Sequence, residues 1–343
     1  MNNKMGACIN IPLVIITGLL LISCRGRDPG ASEKPDKLVL GYQVIPNAAV
    51  VARDMKWVTQ ALGIPVEYVQ FNSGTEVNLA IEGDSVDIGL GGTCSSAVGI
   101  AQDMKFKVAY IYDVIGDNEA LIVRNDKGIN SLEDLKGRSV AAPFGSTTHY
   151  HLIVALKTRG IEPESVTLLD MPNPDILTAW KRGDLDAAFV WDPTRQQMLD
   201  SGGSVLISSR QLAEEGYLTA DLCLVHNAFA TQYPELVTRY VAVQNRAVEF
   251  CRSHPNEAAA AIARQFSITP EEALAQMNNL VLLNGAEQAA PDYIGTPNAP
   301  GHIAEVLKDT ADFMVQQKSI RSAPGLEKFK QAVEPSFVNR ALE

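Results

Sequence analysis

The sequence predicts an α/β protein of two similar lobes joined by two crossover strands, with a cleft between them. Three observations lead there. Two stretches about a hundred residues apart carry the same order of elements; both copies place a Gly-Ile and a Gly-Asp pair at matching points; and the chain from Pro234 onward is helical in pattern, with no third copy.

The first copy runs from Leu38 to Gly92 and the second from Ser139 to Asp192. Each opens with an apolar strand, "LVLGY" or "SVAA", and a short polar turn. An amphipathic helix is predicted next, over 48–62 and 147–159, each running into Gly-Ile. Gly63 and Gly160 suit the left-handed conformation that commonly ends helices. A second strand follows, "VEYVQF" or "VTLLDM", then a turn rich in Ser, Gly, Pro and Asn. The second helix ends at Gly83-Asp84 or Gly183-Asp184, before a third apolar strand. Strands alternating with helices make parallel units, and right-handed crossovers lay both helices against the sheet.

Between the copies, "NEALIVRND" (118–126) reads as a strand leaving lobe one. "SLEDLKG" opens lobe two with a short helix capped by Ser131, and Asp134 stands at the capping-box position. "ADLCLVHNAF" (220–229) is an apolar return stretch, and the helical tail is expected to pack on lobe one. The predicted organisation is lobe one over 37–122 and 225–343, and lobe two over 123–224.

The N-terminus carries Lys4, an apolar run from Ile9 to Ile22 and then "LISC" ending at Cys24. That run is short for a membrane span and has the layout of an export signal, predicted over 1–23. "LISC" resembles a bacterial lipobox, which makes Cys24 a lipidation site and 24–36 a polar, flexible tether. The formal charge of −11 argues against nucleic acid or an anionic membrane surface as partner. It does not argue against a small anion, because backbone N–H groups at helix starts bind anions whatever the net charge. Cys94, Cys223 and Cys251 form neither a disulfide framework nor a zinc spacing.

In open α/β sheets, ligands sit beyond the carboxyl ends of the strands, where helix N-termini point into the crevice. That rule selects Gln43, "NSGT" and "GGTCSS" in lobe one, and "FGSTTH" and "VWDP" in lobe two. Three helix starts facing one cleft make a receptor for a compact oxyanion, although each Ser or Thr by itself is an ordinary cap. Catalysis fits less well. Ser146 and His149 lack a strained Gly-x-Ser-x-Gly elbow. His149 and His151, two apart on a helix, point to different faces. Cys94 at a helix start is the better nucleophile candidate, against the plainer reading of a small buried cysteine. No phosphate loop, dinucleotide fingerprint or HExxH is present, so the sequence reads as a binder that needs neither metal nor cofactor.

From Leu38 onward, "GYQ", "NSGTEVNLAIEGDSVDIG", "NEALIVR", "SLEDLKGRSVAAPFGSTTHYHLIVALKTRGI" and "LTAWKRGDLDAAFVWDP" resemble the solute-binding proteins of bacterial ABC importers. The likeness falls in the nitrate/sulfonate/taurine group, and the STTHY run is similar to its taurine-binding members. "GGTCSS" departs from the Ser/Pro-rich run usual in that loop. The resemblance implies the type II periplasmic-binding-protein fold, with two Rossmann-like lobes, and a monomer that hands its ligand to a membrane permease. For taurine, a sulfonate two carbons from an ammonium, it implies neutral donors for the sulfonate: Gln43, Ser73, Gly74, Thr93, Thr147 and Thr148. Glu119, Asp192 and Asp221 are the candidates for the ammonium, and Trp191 for the ethylene spacer. Two alternatives stay open. One is a plain alkanesulfonate or another small organic anion as ligand; the other is a Cys94-dependent enzyme on the same fold, since fold alone does not settle function.

Overall fold

The computed structural model describes residues 34–343. The expected signal segment, Cys24 and the tether as far as residue 33 lie outside the described residues. No helix among the described residues is long and apolar enough to cross a membrane.

The repeat becomes two sheets of the same design. In the first copy β1 (Leu38–Tyr42), β2 (Val66–Gln70) and β3 (Ile88–Gly92) are parallel, with β1 in the middle. In the second copy β6 (Ser139–Ala142), β7 (Thr167–Asp170) and β8 (Ala187–Trp191) repeat that arrangement around β6. The acid after each Gly-Asp pair secures it: Asp87 accepts from the Val39 N–H at 2.8 Å, and Asp186 from the Ser139 N–H at 3.0 Å. Helices α1 (Ala48–Asp54), α2 (Trp57–Leu62) and α3 (Gly74–Glu82) connect the first set of strands. Helix α4 (Thr93–Ala101) leaves the end of β3. Helices α5 (Thr147–Thr158) and α6 (Asn173–Arg182) connect the second set.

Each sheet then takes antiparallel strands from elsewhere. The first adds β10 (Ala220–His226) beside β3 and β4 (Phe106–Val114) beyond it. The second adds β5 (Glu119–Arg124) beside β8 and β9 (Gly203–Ser208) beyond it. The expected lobe boundaries at 122 and 224 therefore fall inside strands. Hydrogen bonding puts all of β5 in the second sheet and all of β10 in the first. The chain changes sheets just before each strand, and there the Ile115 N–H donates to the Thr219 carbonyl at 3.0 Å. The single helix expected over 48–62 is also two. Lys56 adopts a left-handed φ of 57°, breaking the run so that Trp57 packs edge-on against Phe250, ring centroids 5.4 Å apart.

Side-chain alternation gives the second sheet two apolar faces. Leu121, Val140 and Phe189 lie in one cluster, and Ile122, Ala141 and Val190 in the other. The long helix Pro234–Ser253 places Val237, Tyr240 and Val241 in the same core as Leu38 and Ile88 of the first sheet. Two residues reach across: Cys94 of α4 lies in a second-sheet cluster, and Trp191 of β8 in the first-sheet core.

Candidate functional site

A small cavity lies between the two sheets, at the carboxyl ends of the parallel strands. Gln43, Ile45, Gly74, Gly92, Ser95 and Asp221 line it from the first sheet's side, and Glu119, Ser146, Thr147 and Trp191 from the second's.

The starts of α3, α4 and α5 all contribute. Ser73 caps α3, its hydroxyl accepting from the Glu76 N–H at 3.2 Å, which leaves Gly74 on the cavity wall. Gly92 is the N-cap of α4 and carries no side chain, so its backbone faces the cavity directly. Ser146 caps α5 through the His149 N–H at 3.2 Å. Helix starts concentrate unpaired N–H groups and partial positive charge, which favours an anion. Two glycines permit the close approach. A Cβ on Gly74 would lie 2.2 Å from Ser95 Oγ, and one on Gly92 would lie 2.9 Å from Thr147 Cγ2.

The same cavity is acidic elsewhere. Glu119 accepts from the Thr147 hydroxyl at 2.7 Å and lies 3.4 Å from Ser209 Oγ. Asp221 sits directly across the strand pair from Asp113, whose carboxylate accepts from Asn47 Nδ2 at 2.9 Å. All three acids are buried. Burial pushes Glu119 up to about 8 and Asp113 up to about 7. Burial, then the charges of Asp113 and Glu119, push Asp221 well above the carboxylate range. Without a cation the site therefore resists holding three negative charges.

Six of the residues selected from the sequence meet here: Gln43, Gly74, Glu119, Thr147, Trp191 and Asp221. Four do not face the cavity. Ser73 is occupied as a cap. Thr93 is fully buried within the first turn of α4. Thr148 turns its hydroxyl to Ser146 Oγ at 2.7 Å. Asp192 is held in a buried ion pair, 3.1 Å from Arg195 Nε, and also accepts from Asn279 Nδ2 at 3.0 Å. Its charge is matched by arginine.

Ser95 and Ser146 lay within segments selected from the sequence without being chosen. Asp113 and Asn47 went unnoticed, because only the antiparallel pairing of β4 with β10 brings Asp113 to Asp221. Neither histidine lies on the cavity wall. His149 stacks on Phe144 at 4.2 Å, and burial lowers it to about 4. His151 is buried between Ser209 Oγ (2.7 Å) and the Tyr217 carbonyl (2.8 Å). Cys94 is completely buried, and burial followed by the Glu119 charge pushes its thiol well up. That is the opposite of the activation a helix start alone would give. Among the described residues no group of three or more His, Cys, Asp or Glu could hold a metal.

Comparison with known proteins finds relatives over most of the chain. The chain is 30% identical over 307 residues to the taurine-binding periplasmic protein of Escherichia coli K12, covering 88% of this chain and 92% of that one. It is 25% identical over 332 residues to a Bacillus subtilis 168 protein with the provisional name of aliphatic sulfonates-binding protein, covering 94% of each. The alkanesulfonate-binding protein SsuA of Xanthomonas axonopodis pv. citri, solved bound to MOPS, superposes with a TM-score of 0.73 at 20% identity. That match covers 88% of this chain and 99% of the solved one, and it shows the two-lobed periplasmic-binding-protein fold. Residues 48–258 match the family model described as NMT1/THI5 like, and the chain belongs to that family.

Proposed function

We propose that the protein is the solute-binding receptor of a bacterial ABC importer and that its ligand is taurine or a close aminosulfonate. One observation carries the reading: a single interlobe cavity combines three helix N-termini with two buried carboxyl side chains, Glu119 and Asp221. A sulfonate matches the N-termini and an ammonium the carboxyls. The likeness to the E. coli taurine-binding protein supports the same ligand. Charge-assisted hydrogen bonds contribute about 1.5–3 kcal/mol each. Micromolar affinity needs about 8 kcal/mol, so four to six such contacts, less ordering costs, are enough.

The reading extends to location and partners. The N-terminal segment directs export, Cys24 carries a lipid anchor, and the loaded monomer delivers its ligand to a membrane permease. Detergent phase partition of the protein made in a bacterial host, with and without Cys24→Ser, tests the anchor. Retention of the variant in the detergent phase would refute it.

A plain alkanesulfonate as ligand is the second reading, favoured by the likeness to the B. subtilis protein. Calorimetric titration of the chain from Pro29 onward, stripped of carried-over ligand, separates the two. Taurine binding at micromolar strength with ethanesulfonate much weaker supports the aminosulfonate. Equal binding removes the ammonium site, and no binding of either removes the sulfonate reading. Turnover lost in Cys94→Ser would instead revive an enzyme, against the burial of that thiol.

A further inference from the structure

We propose that Asp113, set behind the pocket, makes Asp221 and Glu119 an exchange site for protons or an ammonium group. An aminosulfonate then enters by displacing protons, while a plain alkanesulfonate leaves them in place. The inference rests on the receptor reading above and gives it a specificity device.

The geometry begins with the register of β10 on β4, which sets Asp221 opposite Asp113. Both side chains are buried on that facing pair. Two buried carboxylates facing one another repel, which favours a proton on one of them. Asp113 is 0% exposed. Its Oδ2 accepts from Asn47, and its Oδ1 has no partner among the described residues.

Glu119 is left short of donors by a separate route. The Tyr217 carbonyl only accepts, so His151 Nε2 must carry a hydrogen, and in the neutral ring Nδ1 is an acceptor. The Ser209 hydroxyl gives its single proton to that Nδ1. With its proton on Nδ1 and Oγ 3.4 Å from Glu119 Oε2, Ser209 gives Glu119 little, and the Thr147 hydroxyl is left as its close donor.

The surroundings offer no competing cation. Cys94 faces the acids from α4 and is neutral, as is His151 from α5. Arg195 is committed to Asp192, and Arg210 to Asp117. Among the described residues no lysine or arginine forms an ion pair with Asp113, Glu119 or Asp221. The raised affinities of all three acids for protons follow from the same burial. What compensates the site is either protons or the ligand's own charge. Protonated acids also leave a neutral wall that an uncharged alkyl tail can occupy.

The test is calorimetric titration of taurine and ethanesulfonate in buffers of different ionisation enthalpy, near pH 7. Taurine is expected to release about one proton and ethanesulfonate almost none. One proton of difference changes relative affinity about tenfold per pH unit, so preference for taurine should rise at least tenfold from pH 6 to pH 8. In Asp113→Asn the amide can donate to Asp221 and let it ionise, so the released protons should fall by at least half. Taurine binding without buffer dependence overturns the exchange, and unchanged release in Asp113→Asn overturns the part given to Asp113. Carboxyl ¹³C titration of the wild-type protein without ligand decides independently of any variant. At least one of the three acids should titrate above about pH 6; all three below about 5 would refute the proposal. Should taurine fail to bind in every buffer, the receptor reading falls and the carboxyl titration alone judges the proton pair.

Discussion

Replacing Glu119 by glutamine should make the protein more stable at pH 8 while weakening its hold on taurine. Glu119 is 4% exposed, and burial raises it from an ordinary 4.5 to about 8. The folded state therefore binds more protons than the unfolded one between those two values. Stability from this group is fully present below about pH 4.5 and is lost as pH rises toward 8. At about 1.36 kcal/mol per pH unit that rise sets a ceiling of about 5 kcal/mol, of which about 3–4 falls between pH 5 and 8. Glutamine keeps the shape and an oxygen for the Thr147 hydroxyl, and it does not titrate. Urea unfolding at pH 5 and pH 8 is the assay. The wild type should lose about 3 kcal/mol more than Glu119→Gln over that interval, and saturating taurine should restore much of the wild-type loss. Parallel losses, within about 0.5 kcal/mol, would refute the argument, because Glu119 would then be no more costly to ionise than an exposed acid.

Other expectations follow from the same structure. Gly92→Ala puts a methyl group 2.9 Å from Thr147 Cγ2, so taurine affinity should fall at least tenfold while the melting temperature of the ligand-free protein moves little; calorimetry and thermal melts check both. Arg195→Met strips the buried Asp192 of its charge partner and should cost about 3–5 kcal/mol in urea unfolding, with the pocket lining untouched. In the chain from Pro29 onward, Cys94, Cys223 and Cys251 are all buried, so a thiol reagent should label them only as the protein unfolds; fast labelling of Cys94 in the native state would refute its assignment as core.

Much of this was legible along the chain because the signals are local. Ser73 and Ser146 cap helices with their own neighbours, three residues on, and Gly63 closes α2 with a φ of 63°. The repeat was visible because each copy must bury the same strand and helix faces, which imposes the same spacing of apolar residues and turns. Lys56 was not legible. Nothing in its neighbourhood forbids a continuous helix, and the break answers to Trp57 finding Phe250, far away in sequence. The partners of Asp192 were hidden for a similar reason. Arg195 and Asn279 claim its oxygens, and neither claim shows in a strand-end rule.

By itself, then, the sequence determined two α/β lobes, the helix starts that face the cleft, and a binder's inventory of small polar residues, since capping and periodicity act over a few residues. The tertiary structure decided which acids share the pocket. Asp113 lies more than a hundred residues from Asp221, and only the antiparallel register of β4 and β10 sets them opposite one another. It also decided what those acids are. A carboxyl group's charge depends on how much water and how many other charges surround it, and that is a property of the assembled fold.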